Sequence, residues 1–524
     1  MNLKIFIILV VILMLAGGAW FLWRANQPKP ISVPAGAKSG DLVGLQACEY
    51  KTKASAYQAE CGTLVVSENR GKPDTRLIAL PVKRIRSSAA APAEPIFYLA
   101  GGPGQSNMGF NPRDALLAGH DVVLVGYRGV DGSSVLNCPE IGSAILGDGQ
   151  DATSPASLTM VAEAMRACAT RLEAEGVDLA GYSIPEVVAD MEAARQALGY
   201  PKINLLSESY GTRVAQIYAW LHPQVVSRSA MIGVNPPGHF IWEAATIERQ
   251  VEQYSQLCAR DADCRQHTSS LADSMRKVSA NMPQNWLFMK IDPSKVKIIS
   301  HVLLYHRSTA AMAFDAWLAA ERGDPSGFAL MSLAYDLLMP NIFTWGDLAA
   351  KGVNSDFDPE RDYNDLRVQD TILGAPLSLI IWQPGSQAWP PYPMAEEFRR
   401  VQPSDVETLL INGSLDFSTP LELGRDELLP SLKNGKLVTL AEMGHVNDFW
   451  SVNPSAADRL LTAFYANGQA DDSGFAYLPM DFKVSLGFPT LAKILLGTGL
   501  LLIIIFGMGL AKIIRKKTHR RKIS

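Results

Sequence analysis

The chain has 524 residues, 48% of them hydrophobic, and a formal net charge of −4. Its last ten residues hold six Lys or Arg and no acid, which leaves the remainder at −10, and so acidic a body is not a nucleic-acid binder. The six cysteines include no Cys-x-x-Cys pair and no nearby Cys/His quartet, which argues against zinc, and no metal or cofactor is expected.

In chain order, Ile5 to Trp23 is an uncharged run of 19 residues behind Lys4, long enough to cross a bilayer. Small residues from Leu15 to Ala19 suit signal-peptide cleavage, whereas Trp20, Trp23 and Arg24 suit an uncleaved anchor, so residues 1–24 read as one or the other. Residues 25–45, with Pro28, Pro30 and Pro34, read as a linker. Residues 46–235 alternate strand and helix, the pattern of a mostly parallel sheet with helices on both faces. Within them Pro95–Ala100 is a strand running into Gly101-Gly102-Pro103-Gly104, Val187–Leu198 an amphipathic helix, Ile203–Ser207 a second strand and Ser229–Gly233 a third.

Residues 236–376 turn mostly helical, too long a stretch for a loop, and are expected to form an inserted helical cap. The sheet resumes over residues 377–468, with strands at Thr408–Ile411 and Lys436–Leu440 and a helix near Ala456–Tyr465. Residues 469–490 read as a linker. Ile494–Ala511 is a second uncharged run, of 18 residues, within an expected transmembrane helix at 491–514. The basic cluster of residues 515–524 is then cytoplasmic by the positive-inside rule, which places everything before it, periplasmic or extracellular, on the far side.

The chemistry is concentrated at strand ends. Ser207-Glu208-Ser209-Tyr210-Gly211 follows an apolar strand and precedes a helix, as a nucleophile elbow does, although the usual pattern is G-x-S-x-G and a serine stands at its first position. Serine is small enough for that crowded turn. Upstream, the glycine-rich loop lets backbone N–H groups approach a substrate oxygen, and Gly102 with Tyr210 would hold an oxyanion. Downstream, Asp416 ends one late strand and His445 the next, the Ser…Asp…His order of an α/β-hydrolase. His445 would take and return the proton of Ser209, and Asp416 would fix the histidine tautomer. His120, His222, His239, His267, His301, His306 and His519 carry no such context.

These motifs resemble the α/β-hydrolase group of proline iminopeptidases and exported tripeptidyl aminopeptidases. The resemblance is carried by Gly101-Gly102-Pro103-Gly104, Asp121 to Gly129, Ser209-Tyr210-Gly211-Thr212-Arg213, Asp416 before Ser418-Thr419-Pro420, Gly444-His445 and the Trp382…Trp389-Pro390 stretch, over roughly residues 46–468. It departs at Ala100, where iminopeptidases usually place histidine, at Ser207, and in lacking a cysteine before Trp389. Six cysteines allow 15 pairings; an even count in an exported segment implies disulfides, and the resemblance and short spacing favour Cys48–Cys61, Cys138–Cys168 and Cys258–Cys264.

The resemblance implies an α/β-hydrolase fold with an inserted cap and a serine aminopeptidase acting through an acyl-enzyme on Ser209, and the terminal apolar runs add flanking transmembrane segments. An aminopeptidase needs carboxylates for the substrate α-ammonium, and Glu208 and Glu243 are the candidates. The cap aromatics Trp242, Trp317, Phe343 and Trp345 are candidates for an apolar pocket. The expected partners are a peptide or small ester and the membrane, through the C-terminal helix and, where it is uncleaved, the N-terminal run; the oligomeric state is left open. A carboxylesterase with the same triad and a non-catalytic hydrolase-like binding scaffold are the alternatives.

Overall fold

The computed structural model describes residues 31–498 apart from 54, 150 and 368–370. Its strands are β1 (Leu42–Lys51), β2 (Ala56–Ser67), β3 (Leu77–Ile85), β4 (Ala93–Leu99), β5 (His120–Val125), β6 (Ile203–Glu208), β7 (Val226–Ile232), the hairpin β8 (Asn285–Trp286) and β9 (Met289–Lys290), β10 (Glu407–Gly413) and β11 (Gly435–Leu440). All six residues of β5 are buried, and β6 is buried through Ser207. Runs of Val, Leu and Ile without alternation can be buried this way only where helices cover both faces of the sheet.

Nine strands form one sheet in the order β1-β2-β3-β5-β4-β6-β7-β10-β11. β1, β2, β3 and β5 pair antiparallel, and the rest of the sheet, from β5 to β11, is parallel. The parallel strands therefore end at one edge, the place where open α/β sheets bind ligands. Register keeps those ends level: Leu99 of β4 lies opposite Ser207 of β6, and Glu208 lies opposite Ile232 of β7.

A second apolar core lies in the cap, around Trp317, Phe328, Trp382, Ile247 and Tyr254. It is built from two stretches of chain. The longer runs from Ala244 to Ala388 in helices between β7 and β10; the other includes the helix Pro155–Ala174, which lies between β5 and β6 in sequence. Val161, Met165 and Leu172 of that helix sit in the cap cluster, and the helix Pro376–Ala388 packs against it. Met480 is buried in the same cluster, with Phe482, Val484 and Phe488 packed on it, so the chain after the last sheet helix returns across the cap.

The flanking transmembrane segments expected from the sequence are corrected: among the described residues no helix is long and apolar enough to cross a membrane. Ile5–Trp23 and the basic tail lie outside the described residues. Of Ile494–Ala511 only 494–498 lies among the described residues, within a helix described from 488. Its Lys493 pairs with Asp324 of the cap at 2.5 Å.

Disulfides join Cys48–Cys61, Cys138–Cys168 and Cys258–Cys264. The first ties β1 to β2. The second fixes the helix Pro155–Ala174 to the turn after β5, with both cysteines fully buried. Closing a loop with a sequence separation of 30 restricts the unfolded chain. Joint replacement Cys138→Ser with Cys168→Ser is expected to cost about 3–4 kcal/mol, measured by denaturant unfolding; a midpoint unchanged from wild type would refute it.

Candidate active site

Ser209 stands between β6 and the helix Tyr210–Leu221 with φ 51° and ψ −121°, a conformation that L-residues avoid. Its neighbours hold it there. Its N–H donates to the Ile232 carbonyl at 2.9 Å, and its C=O accepts from the Thr212 N–H at 2.9 Å and the Thr212 hydroxyl at 2.6 Å. Gly211 lies so close to β4 that a Cβ there would meet the Leu99 carbonyl oxygen at 2.2 Å. The other crowded position carries Ser207, fully buried, whose hydroxyl donates to the Ala230 carbonyl of β7 at 3.2 Å. The serine in place of glycine is thus a satisfied cross-strand donor.

Asp416 follows β10 and His445 follows β11, and the fold brings them together: Nδ1 of His445 and Oδ2 of Asp416 are 2.7 Å apart. A carboxylate only accepts, so Nδ1 carries the proton and Nε2 is left as the base. Asp416 is nearly fully buried, and it also accepts from the Ser418 and Thr419 N–H groups, each at 2.9 Å, and from the Thr419 hydroxyl at 2.7 Å. These donors fix the carboxylate's direction before the histidine reaches it. Tyr305 of the cap holds His445 from the other side, its carbonyl accepting the His445 N–H at 2.9 Å and its ring meeting the imidazole edge-on at 5.2 Å.

Ser209 and His445 line one cavity of about 520 Å³ at the carboxyl edge of the sheet, under the cap. Gly101, Gly102 and Tyr210 line it as well. Gly101 approaches the serine so closely that a Cβ would lie 3.1 Å from the Ser209 Cβ. Tyr210 opens its helix, so its N–H is one of those a helix leaves without an internal acceptor. Gly102 and Tyr210, whose N–H groups the sequence singles out for an oxyanion, thus line the same cavity as the serine.

Among the described residues, Glu208 is the one carboxylate that lines the cavity. It accepts from the Tyr98 hydroxyl at 2.7 Å and from the Trp450 indole at 2.6 Å. It keeps some accessible surface but lies deep in the protein, and desolvation raises its pKa above the ordinary glutamate value against the pull of those two bonds and of His445. Glu243 lies elsewhere: it is not among the lining residues, it is about half exposed, and Arg361 pairs with it at 2.9 Å. The aromatics also divide. Trp242 and Phe343 line the cavity, whereas Trp317 and Trp345 are cap core with their indoles bonded to Ser300 and the Pro340 carbonyl. His239, given no role from sequence, also lines the cavity and pairs with Glu427 at 2.7 Å. Tyr305, Tyr98 and Trp450 had no sequence signal, since each acts through a contact with a residue more than a hundred positions away.

Residues 94–281 match the α/β hydrolase fold family, and residues 380–476 match the family described as TAP-like protein. The chain thus carries an α/β hydrolase fold domain followed by a TAP-like one. The hydrolase is 25% identical over 455 residues to the tripeptidyl aminopeptidase of Streptomyces coelicolor, a match covering 78% of this chain and 81% of that one. It is also 25% identical over 458 residues to the tripeptidyl aminopeptidase of Streptomyces lividans, covering 79% and 82%.

A folded-state pKa above the unfolded one means that the native hydrolase holds the Glu208 proton longer than the unfolded chain. Its contribution to stability is full below the unfolded value near 4.5 and is lost as pH rises through the folded value. Glu208→Gln cannot ionise, so wild-type Tm is expected to fall relative to the variant as pH rises from about 4.5 through the folded value. Thermal unfolding of both proteins across pH checks this, and parallel Tm curves would refute it.

Proposed function

We propose that the hydrolase cleaves acyl bonds through a serine acyl-enzyme and that its substrates are peptides with a free N-terminus. The observation that carries the serine chemistry is the 2.7 Å His445–Asp416 contact beside a cavity that also holds Ser209 on its elbow. Oγ of Ser209 attacks the substrate carbonyl while Nε2 of His445 takes its proton. The N–H groups of Gly102 and Tyr210 receive the oxyanion, and removing one such donor typically costs about 10²–10³ in turnover. The tetrahedral species then expels the amine, which takes the proton from His445, and leaves the acyl group on Ser209. Water, deprotonated by His445, attacks the ester, and its collapse releases the acid and returns the proton to Ser209.

The peptidase reading is supported by the two tripeptidyl aminopeptidases among the relatives and by Glu208, the one carboxylate among the described residues that lines the cavity and could face an ammonium group. Three disulfides favour an oxidising compartment, so the enzyme is proposed to act outside the cytoplasm. A carboxylesterase is the second reading. It is favoured by the apolar side chains that line the cavity, among them Val302, Ile342, Leu377 and Ile381, and by the fact that Tyr98 and Trp450 already satisfy Glu208.

A fluorophosphonate probe is expected to label the wild-type protein and not Ser209→Ala, with hydrolysis falling in parallel; a folded wild-type protein that stays unlabelled would refute the serine mechanism. Aminoacyl and peptidyl amides are expected to turn over and to lose most of their kcat/KM when the α-amine is acetylated. Turnover confined to short acyl esters and indifferent to the amine would establish the esterase instead.

A further inference from the structure

We propose that Asp347, a cap residue, is a positioning residue for the oxyanion loop: its carboxylate fixes the exit of the Gly101–Gly104 turn and thereby aims the Gly102 amide. The inference rests on the acyl-transfer reading above.

The loop is anchored at both ends. At its entry, the Ala100 N–H donates to the Asn107 side-chain oxygen at 2.7 Å, and the Asn107 amide donates to the carbonyls of Tyr98 at 3.0 Å and Val125 at 2.8 Å. That anchor belongs to the sheet domain. At its exit, the Gly104 N–H donates to Oδ2 of Asp347 at 2.8 Å, and the Gly104 carbonyl accepts from the Thr344 N–H at 2.8 Å. That anchor belongs wholly to the cap. Only Gly101, Gly102 and Pro103 lie between the two, so the exit contact decides where the amide between them points.

The space for this contact is reserved on the sheet side. A Cβ on Gly104 would lie 2.9 Å from the Thr344 carbonyl oxygen, and one on Gly129, in the turn after β5, would lie 2.3 Å from Oδ1 of Asp347. Asp347 is fully buried and pairs with the equally buried Lys351, whose ammonium also donates to the Arg128 carbonyl at 2.8 Å. Burying an ion pair is often no more stabilising than an apolar pair of the same volume, so stability alone does not account for a charge here. An apolar side chain would, however, leave the Gly104 N–H without an acceptor. The same stretch of chain supplies Phe343 and Leu348 to the cavity wall, so the segment that lines the cavity also holds the loop.

Replacing both charges together avoids leaving either one buried alone. Asp347→Leu with Lys351→Met is expected to lower kcat for p-nitrophenyl acetate by about 10–100-fold, the scale of a 1 Å misplacement, with KM within about threefold. Affinity for a peptidyl trifluoromethyl ketone, whose adduct carries the oxyanion, is expected to fall in step with kcat/KM. Asp347→Asn with Lys351→Met returns an acceptor to Gly104 and is expected to restore most of kcat. A Leu/Met protein with wild-type kcat, or an Asn/Met protein no better than Leu/Met, overturns the proposal. Should the Leu/Met protein not fold, Gly104→Ala probes the contact from the loop side: the same loss of kcat at constant KM is expected, and unchanged kcat overturns the proposal. Fluorophosphonate labelling separates the two levels, because an unlabelled wild-type serine refutes the acyl-transfer reading, whereas equal labelling rates in wild type and Leu/Met refute only the role of Asp347.

Discussion

The structure depends on one strained backbone position. Ser209 sits at φ 51° and ψ −121°, a conformation that costs on the order of 1–3 kcal/mol and persists only where its surroundings over-determine it. Here they do. The Ile232 carbonyl receives its N–H, Thr212 closes on its carbonyl with two bonds, and Gly211 packs onto the Leu99 carbonyl with no room for a methyl group. The Ile232 and Leu99 contacts need β4, β6 and β7 adjacent and in register, which explains why the elbow stands in the parallel half of the sheet. Turned out of the strand in this way, the side chain faces the cavity instead of the sheet.

A second constraint is the way the cap meets the sheet domain through buried polar groups. Arg213, in the first turns of the helix after Ser209, pairs with Asp356 of the cap at 3.0 Å, and Asp356 also accepts the N–H groups of Gly238 and Phe240. Arg128, after β5, is fully buried, and its carbonyl accepts from the ammonium of Lys351 of the cap at 2.8 Å. Asp448, just past His445, receives the N–H groups of Arg307 and Gly444 and pairs with His306 at 3.0 Å. Such groups are worth little as net stability and are costly to leave half-satisfied. Their effect is geometric: a cap seated a few ångströms away would strand several of them at once, so one seating is strongly preferred.

The consequence is that the cap forms part of the site's frame. Tyr305 supports His445, the segment 343–347 meets the glycine-rich loop, and Trp242 and Phe343 line the cavity from above. The hydrolase thus places its candidate nucleophile and acid–base pair on sheet loops and holds two of those loops from the cap.

How much of this was legible depends on the distance over which each signal acts. Ser209, Asp416 and His445 stand directly after apolar runs that become parallel strands, and the glycine-rich loop follows another, so local pattern and chain order were enough to pick them out. The helix Pro155–Ala174 was not legible as cap, because its composition suits any helix covering a sheet and only its packing on Pro376–Ala388 assigns it. Glu243 shows the same limit, since a sequence can place an acid at the start of a cap helix without revealing that Arg361 will meet it. The sequence by itself determined the alternation of strands and helices, the chemistry-bearing residues at the strand ends and the cysteines available to pair, all of which rest on periodicity, turn chemistry or residue type within a few positions. Only the tertiary structure decided which cap residues reach the cavity, that Glu208 rests on Tyr98 and Trp450, and that Asp347 meets Gly104. Those contacts join residues separated by tens to hundreds of positions and are set by packing, which leaves no period in the chain to read.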